Sequence, residues 1–549
     1  MTFAGTLGKT SALFGTLALA GGLACSSKAA GGAGGGSGSA AGASGSIGTG
    51  GASGTGTGGA SGAGGGATAS ASVLERNNHP SRDGLFVQPA LTKTAAATLA
   101  RDTGFAATFT GNTWASALYL ENGPGGKGAF FTVTNDDNVF ALDETTGAQL
   151  WTKSIGTPAS RTGQSCGDIT PIGIISTPVI DAAARTIYVA GAIGNTSTIT
   201  AHQIHALSVD DGSERSGWPI DVSTIPATGA TFSASAQNQR TALSLVGGIL
   251  YLGYGGHNGD CGNYRGWIFA VDTTNPTQRG AWVTGGTRGE AIWAAGGMAS
   301  DGNGIFAITG NNLTGTSTHA DSEEVVRLTG LAAVDRTNAN IFYPSSWQNM
   351  DANDADFGAS SPVYVASPSP MVVAVSKDGH LFVLDAHNLG GMGGQLAQLT
   401  VAASGAMIVH TAPAAYTDSQ GAHVILTTNS GGQCPAGGAS GKVVMSVLIP
   451  PGSPPQPTVS WCVSTSNASL GFPAAPMVTT TDGQGSQPIV WFMNGTRLMG
   501  VDGARGATIY GGGASADACT GVHKWVAPIA VKGRIVVAGD THLCSWSAH

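Results

Sequence analysis

Phe130–Trp151 reads FFTVTNDDNVFALDETTGAQLW, and its pattern returns, more or less worn, another seven times along the chain. Phe131 and Val133 alternate with Thr132 and Thr134, Asn135–Asn138 makes a polar turn, Val139–Leu142 is a second apolar run, and Asp143–Gly147 turns the chain into Leu150-Trp151. Period-two runs broken by Asn, Asp and Gly are consecutive antiparallel strands. A single unit of this kind cannot cover both faces of its own sheet, so a series of them predicts stacking against neighbours.

The further units are Ile175–Ile220, Arg240–Val283, Glu290–Trp347, Ser360–Val401, Ala412–Val463, Phe472–Tyr510 and Lys524–His549. The last one stops after its third strand, which would leave an open sheet edge. Leu99–Thr110, with Phe105 and Phe109, lies just before the first full unit and can supply the missing strand. The expected fold is therefore all-β: a single β-propeller of eight four-stranded blades, closed by an N-terminal strand that completes the C-terminal blade. Seven blades is the alternative, if the sixth and seventh units form one irregular blade. The aromatic residues at the outer strands, Trp151, Trp218, Trp282 and Trp461, are read as fillers of the wedge between blades.

Composition agrees. Of 549 residues only 10% are charged and 87 are Gly, which suits short strands and tight turns and disfavours long helices. A formal net charge of −8 without a Lys/Arg cluster argues against a nucleic-acid partner.

The first 25 residues hold one Lys, Lys9, and an apolar run from Ser11 to Ala24 that ends at Cys25. This is the pattern of an export signal. Leu23-Ala24-Cys25 resembles a bacterial lipobox, with Gly22 where that pattern prefers Leu, so Cys25 is a candidate lipidation site; the other reading is an ordinary cleaved signal. Residues 26–72 are nearly all Gly, Ser, Ala and Thr, the composition of a disordered tether with a reach on the order of 35–40 Å. The expected organisation is a signal peptide over 1–25, a tether over 26–72 and the propeller over 73–549. The expected location is the outer membrane, as a lipoprotein facing periplasm or cell surface, with secretion as the alternative.

Six further cysteines in an exported chain imply disulfides. Fifteen pairings exist. The repeat map favours Cys434 with Cys462 and Cys519 with Cys544, each within one unit, and Cys166 with Cys261 between neighbouring loops.

The segment VFALDETTGAQLW is similar to the tryptophan-docking repeat of the pyrroloquinoline quinone (PQQ)-like, quinoprotein-type propellers. From Arg82 to about Asp321 the chain also resembles bacterial exported PQQ-repeat proteins, through Arg82-Asp83-Gly84, Leu91-Thr92, Gly173–Asp181, Ile204–Leu207, Gln239-Arg240, Gly266-Trp267, Ile292-Trp293 with Gly296-Gly297, and Gly310-Asn311. The resemblance implies the propeller fold. It also implies PQQ and calcium as cofactors and oxidation of alcohols or sugars, but the adjacent cysteine pair found in many such dehydrogenases is absent, and spacing assigns no calcium set. One propeller frame serves enzymes, scaffolds and binders alike.

The densest polar group falls in the third and fourth units: Arg240, His257, Asp260, Trp267, Trp293, Asn311 and Asp321. On a propeller, strand ends and inter-strand loops face the axial funnel, where such residues would suit a sugar or another polar ligand. The bland reading makes His257 and Asp260 turn residues beside Cys261 and pairs Arg240 with a carboxylate. Asp351, Asn353, Asp354 and Asp356 offer hard oxygen ligands at close spacing, a weak calcium loop or simply a solvated acidic one. No nucleophile elbow or phosphate loop appears in a fitting context. The sequence thus points to an exported, lipid-anchored, monomeric binding or scaffold propeller whose partner is an envelope protein, a polar small molecule or a glycan. A quinoprotein dehydrogenase and a carbohydrate binder are the alternatives.

Overall fold

The computed structural model describes residues 71–160, 164–403, 411–468 and 472–548. The signal-like segment, Cys25 and almost all of the expected tether lie outside the described residues.

Eight sheets, antiparallel apart from the parallel additions of Leu85–Val87 and Gly391–Met392, follow one another along the chain, as the repeats predict, and the seven-blade alternative is excluded. In blade 1 the strands Leu118–Leu120, Ala129–Thr134, Asn138–Asp143 and Gln149–Ser154 pair in sequence order. The turn Asn135–Asn138 and the Asp143–Gly147 turn both fall where the polar residues put them. Asp143 Oδ1 accepts the backbone N–H groups of Thr145 and Thr146 (3.0 and 2.8 Å), and these bonds, the Thr146 N–H first, hold its carboxyl below the usual range. Asp272 and Asp502 likewise accept turn N–H groups in blades 3 and 7.

Two docking tryptophans tie their blades to the next. The Trp151 indole N–H donates to the carbonyl of Val209 in blade 2 (2.9 Å), and Trp461 donates to Gly503 in blade 7 (2.7 Å). Each ring lies on a glycine with positive φ: a Cβ at Gly212 or at Gly506 would stand 2.9 Å from the indole. The repeat glycine therefore answers two demands at once, a left-handed turn and a flat seat for the ring.

Blade 8 is completed by the N-terminal strand. Leu99–Arg101 pairs antiparallel with His542–Ala548, with Arg101 opposite Trp546. Only the start of the expected segment is strand. Phe105 and Phe109 instead bury their rings against Phe130 and Phe140 of blade 1, so the segment closes the sheet and then seals the seam.

Ahead of that strand the chain does something no repeat announces. From Val73 to Gln88 it crosses the ring as a strap and touches the innermost strand of every blade. Val73 pairs with Tyr119 in blade 1, and the carbonyl of Leu74 accepts from Ile180 in blade 2. Arg82 donates to the Leu243 carbonyl in blade 3 (2.9 Å). Carbonyls of Pro80, Ser81, Asp83 and Gly84 accept from Ser300, Tyr364, Ala415 and Val478 in blades 4 to 7, and Gln88 donates to Ala530 in blade 8 (3.3 Å). The strap thereby links the innermost strands of all eight blades through satisfied backbone groups. Gly297, at φ +92°, leaves the space for it, since a Cβ there would meet Arg82 Nε at 2.9 Å.

Candidate functional site

Just ahead of four of the innermost strands stands a residue that lines one shared cavity, a few residues before the strap station. Arg240 precedes Leu243-Ser244, Trp293 precedes Ser300, Ala359 precedes Tyr364, and Trp525 precedes Ala530. The result is a funnel. Its cavity, about 140 Å³, is lined by Arg240, Trp293 and Trp525 together with Lys377, Lys524 and the loop His257–Asp260.

Local sequence explains how the side chains reach it. The loop His257–Asp260 links the second and third strands of blade 3 and is pinned by the Cys166–Cys261 disulfide. Cys434–Cys462 and Cys519–Cys544 form as the repeat map predicts, the first inside blade 6, the second tying the link between blades 7 and 8 to the strand His542–Ala548. Gly255 and Gly256 let two large rings approach: the Trp293 indole donates to the Gly256 carbonyl (3.0 Å), and a Cβ on either glycine would stand under 3.0 Å from Trp293 or Tyr264. Tyr264 in turn donates to Asp260 Oδ1 (2.6 Å).

Arg240 is the centre of the arrangement. Its guanidinium lies 5.1 Å from the Trp293 ring centroid and 4.9 Å from that of Trp525, a cation held between two indoles. Among the described residues it makes no ion pair and no hydrogen bond, and its Nε is buried without a partner. Burial pulls its pKa down to about 10, against the pull of Asp168, Asp356 and Asp260, so the group stays cationic at neutral pH.

Its neighbours are partnered. Lys524 lies over the rings of Phe472 and Trp525 (4.9 and 4.8 Å) and reaches Asp168 at 3.4 Å; burial lowers its pKa more than Asp168 raises it. Lys377 bridges Asp354 (2.9 Å) and Asp356 (2.5 Å); burial alone would lower its pKa, but the two acids hold it above the ordinary value. Burial lowers that of His257, which is neutral at pH 7.

The sequence-predicted residues divide. Arg240, His257, Asp260 and Trp293 line the funnel. Asn311 stands just behind it, its N–H donated to Asp356 Oδ1 (3.0 Å) and its side-chain oxygen buried without a partner. Trp267 is placed elsewhere: it is buried in the seam between blades, stacked on Phe269 with ring centroids 5.6 Å apart, because it opens an apolar strand. Asp321 pairs with Arg336 and accepts from Gly285, away from the cavity. Lys377, Phe472, Lys524 and Trp525 were not singled out by sequence. Trp525 was the findable one, since it precedes its blade's innermost strand as Trp293 does.

The acidic loop does not gather. Asp351 accepts from Asn312 and Ser322, Asn353 bonds back to Asn349, and Asp354 and Asp356 turn to Lys377. Among the described residues no three carboxylates bring oxygens within 4.8 Å of one another. The triad that does converge, Cys519, His542 and Cys544, has both sulfurs in a disulfide and so offers no thiolate. At the funnel itself Asp356 has both oxygens engaged, one by the Asn311 N–H and one by Lys377. A calcium ion at Asp356 would have to displace Lys377, and the Arg240 guanidinium already lies over both indoles.

The fold has solved relatives. A quinohemoprotein alcohol dehydrogenase from Pseudomonas putida HK5 superposes with a TM-score of 0.60 at 12% identity, covering 87% of this chain and 80% of that one. Quinohemoprotein alcohol dehydrogenase from Comamonas testosteroni gives 0.58 at 14% identity (86% and 80%), and a europium-containing methanol dehydrogenase gives 0.54 at 14% identity (85% and 89%). At these identities the similarity establishes the quinoprotein-type propeller fold and nothing about activity. No protein-family model and no curated protein matches the chain.

Proposed function

We propose that this chain, a propeller of the quinoprotein type, is an exported, lipid-anchored binding module of the cell envelope that takes a polar ligand in its axial funnel without oxidising it. The observation that carries this reading is Arg240, an unpaired guanidinium held between Trp293 and Trp525 in the lining of a cavity. A preformed concave site with converging polar groups is the ordinary form of a ligand pocket. The export signal, Cys25 and the Gly/Ser-rich segment support an envelope location. A second reading, a PQQ-dependent dehydrogenase, is favoured by the fold relatives and disfavoured by the donor set at Asp356.

The test is incubation of the purified residues 73–549 with PQQ and calcium, following melting temperature and dye reduction with alcohols and sugars. We expect neither a shift nor turnover; dye reduction that depends on PQQ overturns the binding reading. For the anchor, Cys25→Ser is expected to release the protein from the membrane fraction, and an unchanged distribution would count against lipidation.

A further inference from the structure

We infer that the funnel ligand is a small organic carboxylate, gripped by Arg240; this rests on the binding reading above and names its ligand class. The charge inventory leads there. Three cations (Arg240, Lys377, Lys524) and three acids (Asp260, Asp354, Asp356) line the cavity. Both lysines hold acids of their own, Asp168 for Lys524 and the pair Asp354 and Asp356 for Lys377. Arg240 alone has no counter-ion among the described residues. A desolvated cation without a partner is costly, and a bound anion removes that cost.

The anion's shape follows from the donor. A guanidinium is planar and presents a fork matched to two carboxylate oxygens. The two flanking indoles keep that fork from swinging away. A monoanion completes Arg240, whereas a dianion would bring a second negative charge beside Asp168, Asp260, Asp354 and Asp356. Asp260, one oxygen of which accepts from Tyr264, is placed to receive a hydroxyl or amine of the same ligand.

Size and stacking exclude the rivals. A cavity of about 140 Å³ holds on the order of ten waters, which is the scale of a small acid and not of a glycan chain. A neutral sugar would want an open aromatic face. Here cations already lie over Trp293, Trp525 and Phe472.

The experiment is isothermal titration of the intact propeller at pH 7 with matched probes: L-lactate against propane-1,2-diol, D-gluconate against D-glucose, and inorganic phosphate as the competing oxyanion. Saturable one-to-one binding of at least one carboxylate, with its neutral counterpart silent and phosphate weaker, is the expected result. Arg240→Lys should weaken binding by about tenfold, because the charge survives and the fork does not, and Arg240→Gln should weaken it further. Silent carboxylates, equal binding of acid and neutral probe, tighter binding of phosphate, or an unchanged affinity in a folded Arg240→Gln protein each overturn the assignment. Should that variant fail to fold, the wild-type selectivity between matched probes decides alone. Silent carboxylates without PQQ-dependent turnover refute this ligand class and leave the binding reading intact, whereas turnover refutes the binding reading itself.

Discussion

Arg82 and Glu75 form an ion pair at 2.9 Å with the arginine side chain wholly buried and the glutamate 8% exposed, inside a strap that reaches all eight blades. Burial favours the uncharged state of each partner, raising the pKa of Glu75 and lowering that of Arg82, and the contact between them opposes both shifts. Arg82 adds bonds to the Arg76, Leu243 and Met298 carbonyls and to the Ser244 hydroxyl. Removing one charge strands the other. Arg82→Met should therefore destabilise the propeller by about 3–5 kcal/mol, and Glu75→Gln in that background should restore part of it, as read from urea midpoints. Additive losses would show that the pair is not coupled.

A second prediction concerns pH. Asp137, in the first polar turn, is buried against Gly173 and Gly191, and burial pushes its pKa up to about 8. Its unfolded value is near 3.8, so below that pH both states hold the proton and the group is neutral in effect. As pH rises from about 4 to about 8 the unfolded chain gives up its proton first, and the native state loses stability across that window. Asp137→Asn keeps the shape, and Asn tolerates the left-handed backbone (φ 61°). The variant should gain on the order of 2–5 kcal/mol over wild type at pH 8 and little at pH 4, by melts across that range.

The third separates strain from contact at two glycines. Gly212 and Gly125 have similar φ, +70° and +65°, but a Cβ on Gly212 meets the Trp151 ring at 2.9 Å while one on Gly125 meets nothing within 4 Å. Gly125→Ala should cost about 1 kcal/mol, the backbone penalty alone, and Gly212→Ala about 1–3 kcal/mol more because the docking indole must move. Equal costs would mean the ring seat is soft.

Loop pinning gives the fourth. Cys261→Ser with Cys166→Ser should lower stability by about 2–4 kcal/mol and raise hydrogen exchange across Asn258–Gly262, weakening any funnel ligand. The Cys434/Cys462 pair lies within blade 6, so its removal should leave exchange in that loop unchanged.

The blades were legible because the units restate the same alternation, with Asp at the turn and Gly under the ring, as in Asp143 and Gly212. The strap was not, although Arg82-Asp83-Gly84 stood out by resemblance. It forms no repeat, and its bonds run to strands as distant in sequence as Val478, a relation that exists only once the ring has closed. The funnel was half legible. Polar residues clustered in loops pointed to Arg240, His257, Asp260 and Trp293. Trp267 has the same composition signal but begins a strand whose alternation turns it into the seam. Lys524 and Trp525 were hidden by lying in the last unit, far in sequence from the cluster they join across the axis.

The strap has a consequence for the ancestry of the molecule. Propellers can gain or lose blades when a repeat is copied or dropped, since each blade asks only for a neighbour like itself. Here Val73–Gln88 is a ruler with one mark for each blade, so a ninth repeat would find no mark and a deleted one would leave a mark unread. In this lineage the number of blades can change only if the ruler is rewritten in the same step.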